Sequence, residues 1–194
     1  MQADESPIKA LDKQHKNGIH RGYMWVYHAP VDRLVLFDYQ AGRDKSGPRK
    51  MLSGYSGILQ TDGYTVYKEL FGHHPDILLV HCMGHARWKF VEAQKYDEQK
   101  AGYVIEKMQA LHKLEQDIRN EQLGWQQHTI KRQQEAVTVL DEIKKWLEEQ
   151  VYTMLPESLL SQAIGRENYL FAGSHDAAQM TAAMYFLMAT CKKY

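Results

Sequence analysis

Residues 58–71, ILQTDGYTVYKELF, combine the signals that decide the fold. An apolar run is followed at once by Asp62 and Gly63, and a helical pattern rich in aromatic residues begins after them. This order predicts a buried strand, a turn and a helix, with an acid at the carboxyl end of the strand. Loops at the carboxyl ends of strands form crevices in α/β sheets, so Asp62 is a candidate functional residue. The alternative for Asp62 is a turn residue that hydrogen-bonds its own backbone.

The segments around this stretch predict further strands. GYMWVYH (22–28) and RLVLFDY (33–39) are rich in β-branched and aromatic residues and flank a hairpin connection at 29–32. DILLVHCM (76–83) is continuously apolar, as expected for a strand that is covered on both faces. A short strand is predicted to end at Pro7, and a short helix to run from about Pro48 to Leu52. The fold class is therefore α/β, a mixed sheet with helices packed on it.

From Gly84 onward the pattern is nearly all helical. Apolar stripes predict one helix from Tyr103 to about Glu121 and another from about Gln133 to Tyr152. The Gln-rich segment GWQQHTIKRQQ is predicted to connect them, which favours an antiparallel helical hairpin, with a partner-binding coiled coil as the alternative. A last apolar helix, QMTAAMYFLMATCKKY, is predicted at the carboxyl terminus.

Composition narrows the function classes. The 194 residues include 44% hydrophobic residues, which indicates a globular protein with a real core. Lys plus Arg and Asp plus Glu each number 24, so any binding of nucleic acid must depend on local basic patches. Two cysteines favour a reducing cytoplasm over a secreted disulfide scaffold. The sequence predicts no membrane span and no signal peptide.

Two acids are candidates for a metal site. Asp4 in QADESP lies on a predicted strand, and it would meet Asp62 if the two strands were neighbours. Paired carboxylates favour a hard cation such as Mg²⁺, which retains waters for substrate phosphates. Two such ions can promote phosphodiester displacement.

Other local patterns predict weaker sites. His81, Cys82 and His85 have residue types that bind zinc, but neighbouring residues on a strand face opposite sides, which favours a buried thiol and a hydrogen-bonded histidine. Basic residues gather at 43–50 and again at Arg87 and Lys89. They are either solvated or available to a DNA backbone.

Five blocks together resemble one known family. The blocks are, in order, QADESPIKALD, GYMWVYHAPVDRLVLFDY, GILQTDGYTVY, HCMGHARWKFVEA and GRENYLFAGSHDAA. They resemble the insertion-sequence 66 family of bacterial transposases over essentially the whole chain. The catalytic region of that family is similar to the ribonuclease H-like, Asp-Asp-Glu type of transposase core.

The resemblance implies a site and a set of partners. Asp4 and Asp62 would be the first and second catalytic acids and would bind Mg²⁺ or Mn²⁺. His85, Arg87 and Lys89 would lie near the site and contact DNA, both the transposon ends and the target. The implied division is a ribonuclease H-like core at 1–97, a helical insertion at 98–152 and a shortened C-terminal part of the core at 153–194. Self-association or assembly with a full-length transposase is also implied.

The third acid of the family pattern is missing. In the family a stretch bearing the catalytic Glu lies between the segments that end here at Ile164 and begin at Gly165. Glu157 and Glu167 do not match the missing acid. The amino-terminal helical and zinc-binding regions of a full-length member, and its usual end, are also absent from this sequence.

Three hypotheses follow. The first is a transposase catalytic domain that is truncated and inactive by itself, because losing one member of a cooperating set removes most activity. The second is a non-catalytic fragment that binds DNA or a full-length transposase. The third is a stand-alone nuclease in which another Glu supplies the third ligand.

Overall fold

The computed structural model describes residues 1–16, 18–121, 124–154 and 158–164. The chain divides into two compact units, Met1–Val80 and His81–Tyr194, which are described in turn. The predicted carboxyl-terminal helix, the GRENYLFAGSHDAA block, Glu157 and the junction after Ile164 lie outside the described residues. The three-part division at residues 97 and 152 follows sequence blocks rather than compactness, and it stays a prediction.

The first unit is built on a five-stranded mixed sheet with the strand order β3-β2-β1-β4-β5. β1 pairs antiparallel with β2, β2 pairs antiparallel with β3, and β1 pairs parallel with β4. The predicted mixed sheet with helices is therefore confirmed. In chain order the elements are β1 (Gln2–Leu11), β2 (Ile19–Ala29), β3 (Leu34–Gln40), α1 (Ser46–Met51), β4 (Gly57–Thr61), α2 (Thr65–Phe71) and β5 (Ile77–His81).

Aromatic residues dominate the core of this unit. Trp25 on β2 and Tyr67 on α2 are fully buried, and their rings meet edge to face with centroids 6.1 Å apart. Each large aromatic ring buries on the order of 150–250 Å², so this contact holds α2 against the sheet. The remaining buried members of the cluster are Ala3, Tyr27, Leu52, Leu59, Phe71 and Ile77.

The prediction that the first strand ends at Pro7 is wrong. β1 continues to Leu11, and Pro7 pairs with Tyr23 of β2. Proline cannot donate to a sheet ladder, so it is tolerated where one edge of the strand lacks a partner. The recorded pairing of β1 with β4 is at Gln2 and Gln60, near the start of β1 and away from Pro7.

The second unit is helical. Its elements are α3 (Met83–Ala93), α4 (Glu98–Asn120), α5 (Trp125–Lys131), a π-helical segment (Arg132–Ala136) and α6 (Val137–Val151), and residues 159–164 are also helical. The predicted stripe on α4 is buried throughout, comprising Val104, Met108, Leu111, Leu114 and Ile118. On α6, Leu140, Ile143 and Leu147 are buried as predicted, whereas Val151 is exposed at the last residue of the helix.

Two helix starts differ from the prediction. The first long helix begins at Glu98, because the Asp97 carboxylate accepts the Lys100 amide at 3.0 Å and caps it. The Gln-rich connection is mostly helical, and α5 begins after Gly124, whose N–H donates to the Gln127 side chain at 3.2 Å. Gln, Lys and Arg are good helix formers, so this polar segment has no local reason to remain a loop.

One buried ion pair joins the long helices. Arg132 in the π-helical segment donates through Nε and Nη2 to both oxygens of Glu115 on α4, the second bond measuring 2.8 Å. The two side chains are 5% and 2% exposed. Such a pair favours the helix packing in which the two side chains meet, because either charge buried without the other would destabilise the fold. None of the helices within the described ranges is long and apolar enough to cross a bilayer.

Candidate functional site

The register of two parallel strands brings the predicted acids together. Gln2 of β1 lies opposite Gln60 of β4, and their side chains meet in a 2.6 Å hydrogen bond. Side chains two residues apart on a strand share a face. Asp4 and Asp62 each come two residues after a member of this pair, so they lie beside each other on the same face. The predicted convergence of these two acids is confirmed, although Asp4 lies inside β1 rather than at its carboxyl end.

A third carboxylate joins them. One oxygen from each of Asp4, Glu5 and Asp62 lies within 4.8 Å of the other two. Asp4 is exposed, Asp62 is half-buried and Glu5 is buried, so the group extends from the surface into the sheet. We refer to these three residues as the acid cluster.

Short-range hydrogen bonds hold the two aspartates. Asp62 Oδ1 accepts the Tyr64 N–H at 2.8 Å, across a turn in which Gly63 has φ 87°. Only glycine adopts such a backbone without strain, which explains Gly63 after the acid. Asp4 Oδ1 accepts the N–H of Glu5 at 2.8 Å. The turn role considered for Asp62 is therefore present, and it orients the carboxylate within the acid cluster.

Glu5 is held from the loop between β3 and α1. Arg43 donates through Nε at 2.7 Å and through Nη2, and both bonds go to Oε1 of Glu5. The Glu5 side chain is 0% exposed, whereas that of Arg43 is 41% exposed. The sequence predicts Arg43 as one of the basic residues available to a DNA backbone, but in the structure its guanidinium binds a protein carboxylate.

Tyr64 fixes the position of Arg43. The guanidinium carbon lies 3.9 Å from the centroid of the Tyr64 ring, and the Tyr64 hydroxyl donates to the Arg43 carbonyl oxygen at 2.7 Å. A cation over an aromatic face is attracted by the ring quadrupole. Because Tyr64 directly precedes α2, the turn after Asp62 and the loop carrying Arg43 are connected.

The burial of Glu5 has an electrostatic consequence. Burial raises the pKa of the Glu5 carboxyl from an ordinary 4.5 to about 7. The hydrogen bond from Arg43 opposes this rise, while the charges of Asp62 and Asp4 add to it. Desolvation and neighbouring like charges both disfavour the ionised carboxylate, and here they outweigh the guanidinium.

The predicted DNA-contacting residues lie on α3, in the second unit. His85 is exposed, whereas Arg87 and Lys89 are half-buried. Lys89 donates to Glu92 at 2.6 Å, which offsets part of its charge. Burial lowers the pKa of His112 on α4; the charges of Arg87 and Arg119 lower it further, whereas the charge of Glu115 raises it.

The zinc alternative gains no geometric support. Among the residues that the structure describes, His81, Cys82 and His85 do not form a set with ligand atoms within 4.8 Å of one another. His81 ends β5, and Cys82 precedes α3, which begins at Met83.

Sequence reasoning missed Glu5 and the role of Arg43. Glu5 follows Asp4 directly, and strand alternation places neighbours on opposite faces, which argued against a shared site. Arg43 is 38 residues from Glu5, and a polar loop offers no periodic signal that could pair them.

Comparison with known proteins identifies relatives over most of the chain. A family model described as "Transposase IS66 family" matches residues 1–171. Two uncharacterized proteins of Sinorhizobium fredii, y4qI and y4hP, are 26% and 24% identical over 98% and 96% of this chain. A third protein from that organism, y4jD, is 26% identical over 71% of the chain.

The chain spans less than half of the length of these curated relatives, namely 44%, 43% and 28% respectively. No solved structure matches it.

Proposed function

The chain belongs to the IS66 family of transposases, and on that basis we propose that it is a catalytic-domain segment of an insertion-sequence transposase. Intact relatives would cleave and join DNA strands with divalent cations. Asp4 and Asp62 would hold the metal. The single observation that carries this proposal is the convergence of these two acids, which come from strands 58 residues apart in sequence, into one acid cluster.

The donor set of the acid cluster suits Mg²⁺ or Mn²⁺. Hard cations prefer carboxylate oxygens, and ligands on opposite sides of a Mg²⁺ ion are about 4.2 Å apart, twice the usual Mg–O distance of about 2.1 Å. The three oxygens lie within 4.8 Å of one another, so small side-chain movements are enough for a shared ion. The residues therefore fit the metal that the family implies.

The strand arrangement supports a ribonuclease H-like core. An antiparallel three-stranded ribbon, extended on the β1 side by a parallel strand, is the arrangement expected of such a core. β1 and β4 would then present the two acids from adjacent strands. We propose this fold for the first unit.

The role proposed for the protein groups around the two aspartates is to position their carboxylates. Asp62 is oriented by its bond to the Tyr64 amide, and Asp4 by its bond to the Glu5 amide. A bound divalent cation supplies Lewis-acid stabilisation of the phosphodiester and activates water or a 3′-hydroxyl. Arg87 is proposed to contact the DNA backbone together with His85 and Lys89, because basic side chains on one helix can neutralise phosphates.

The chain by itself is proposed to be inactive, because positions of its relatives have no counterpart in it. The alignment with y4qI covers 238 residues, whereas 98% of this 194-residue chain is about 190, so about 48 positions have no residue here. We place this gap between Ile164 and Gly165, where the third acid of the family pattern belongs.

The same gap favours the second candidate function. A fragment that keeps the sheet and the helical pair but lacks the third acid is suited to binding DNA or a full-length transposase without cleaving DNA. Mixed assembly through the helical pair would then moderate the active protein.

A strand-transfer assay with the terminal repeats of the element tests both proposals. We expect no cleavage by this chain. Insertion of the corresponding y4qI segment after Ile164 should restore Mn²⁺-dependent cleavage, and Asp62→Ala in that chimera should abolish it. Cleavage by the chimera that survives Asp62→Ala would exclude the assignment. DNA binding by the unmodified chain without cleavage would favour the second candidate.

A further inference from the structure

One carboxylate oxygen of Glu5 has no hydrogen-bond partner among the residues that the structure describes. Its Oε1 accepts both bonds from Arg43, whereas Oε2 is buried and accepts no hydrogen bond within the described part of the chain. The residue is 8% exposed and its side chain 0%. Buried polar atoms in folded proteins almost always have partners, and the exceptions require an explanation such as a bound ion or water.

The position of Glu5 indicates what that partner is. Glu5 contributes an oxygen to the acid cluster, within 4.8 Å of oxygens from Asp4 and Asp62. The three carboxylates and the Arg43 guanidinium together carry a net charge of minus two when all are ionised. A single divalent cation would neutralise this charge, and a buried charge without compensation is strongly destabilising.

We propose that Glu5 is the third oxygen ligand of the divalent-cation site formed with Asp4 and Asp62. This inference rests on the proposed function, because it assumes that the two aspartates hold the ion. Glu5 thus provides, from β1 itself, the third carboxylate that the family pattern places in the segment missing after Ile164. The chain binds a divalent cation even without that segment.

Arg43 makes this role geometrically possible. Its two donors converge on Oε1 and leave Oε2 for the ion, and the ring of Tyr64 packs against the guanidinium. The arginine therefore satisfies one oxygen of Glu5 without occupying the other. The competing explanation for Oε2 is a water shared with the Tyr67 hydroxyl, which is also buried without a hydrogen-bond partner in the described residues.

Calorimetric titration of the full chain with Mn²⁺, repeated with Mg²⁺, tests the proposal. Glu5→Gln keeps an oxygen for Arg43 but removes the charged second oxygen. It should weaken Mn²⁺ binding at least about tenfold. This is the lower end of the loss in metal affinity seen when a group that only contacts a metal ligand is removed. Asp62→Asn should abolish binding. The matched control is Asp12→Asn, one residue past the far end of β1, which should bind Mn²⁺ like the wild type.

A second variant tests the same proposal if Glu5→Gln does not fold. Glu5→Asp keeps the charge but withdraws the carboxylate by about 1.5 Å, the length of one C–C bond. It should also weaken binding, and far-UV circular dichroism checks that each variant is folded.

The outcomes separate the two proposals. If folded Glu5→Gln and Glu5→Asp bind Mn²⁺ as tightly as the wild type while Asp62→Asn does not bind, the ligand role of Glu5 is wrong and the aspartate site stands. In that case Oε2 belongs to a water-filled buried site. If the wild type does not bind the ion, or Asp62→Asn binds equally well, both proposals fail.

Discussion

Replacing Glu5 by Gln should change how the stability of the metal-free protein depends on pH. The pKa of Glu5 is raised from 4.5 to about 7 in the folded protein, with burial as the largest cause. Between these pH values the folded state holds a proton that the unfolded chain has released. The contribution of Glu5 is therefore fully present below pH 4.5 and is lost as pH rises through 7.

The size of the effect follows from the pKa difference. Each unit corresponds to about 1.36 kcal/mol, so the rise to about 7 corresponds to about 3 kcal/mol of unfolding free energy. Because Gln does not titrate, the wild type should lose most of this amount relative to Glu5→Gln between pH 4.5 and 7. Any constant offset caused by the altered contact with Arg43 does not affect this slope.

Urea denaturation in the presence of EDTA, followed by circular dichroism at several pH values from 4 to 8, measures the difference. Glu69→Gln is the matched control, because its carboxylate is 58% exposed and its contact with Lys45, at 3.4 Å, lies on the surface. Its difference from the wild type should stay flat over the same range. A Glu5→Gln difference that changes by less than about 0.5 kcal/mol, the scale of an ordinary surface substitution, would refute the reasoning.

Two further predictions concern the helical unit, and both are measured by urea denaturation. Arg132→Met should destabilise the protein by about 3–5 kcal/mol, because it leaves Glu115 charged and buried. Adding Glu115→Leu should recover most of this loss. If the double variant instead loses the sum of the two single losses in unfolding free energy, the pairing is contradicted. Asp97→Ala should cost about 1 kcal/mol by removing the cap on the Lys100 amide. Asp97→Asn, which keeps a cap oxygen, should be nearly neutral, and equal losses for both variants would argue against capping.

Local sequence patterns were enough to predict the order of the elements in the first unit. The run ending at Thr61 and the aromatic pattern after Gly63 became β4 and α2, and the apolar stripe on α4 is buried as expected. These features depend on patterns that repeat every two to four residues, and such a pattern is visible within a single segment of sequence. The boundaries were less well predicted, because the extent of β1 past Pro7 depends on its pairing with β2.

The sequence by itself determined the fold class, the family and the two aspartates as candidates for a shared site. The tertiary structure decided how that site is built. The register of Gln2 against Gln60 places Asp4 beside Asp62, and the loop carrying Arg43 folds back onto Glu5. These pairings join residues 38 to 58 positions apart. Periodicity carries no information over such separations, because strand register and side-chain reach are set by packing of the whole sheet.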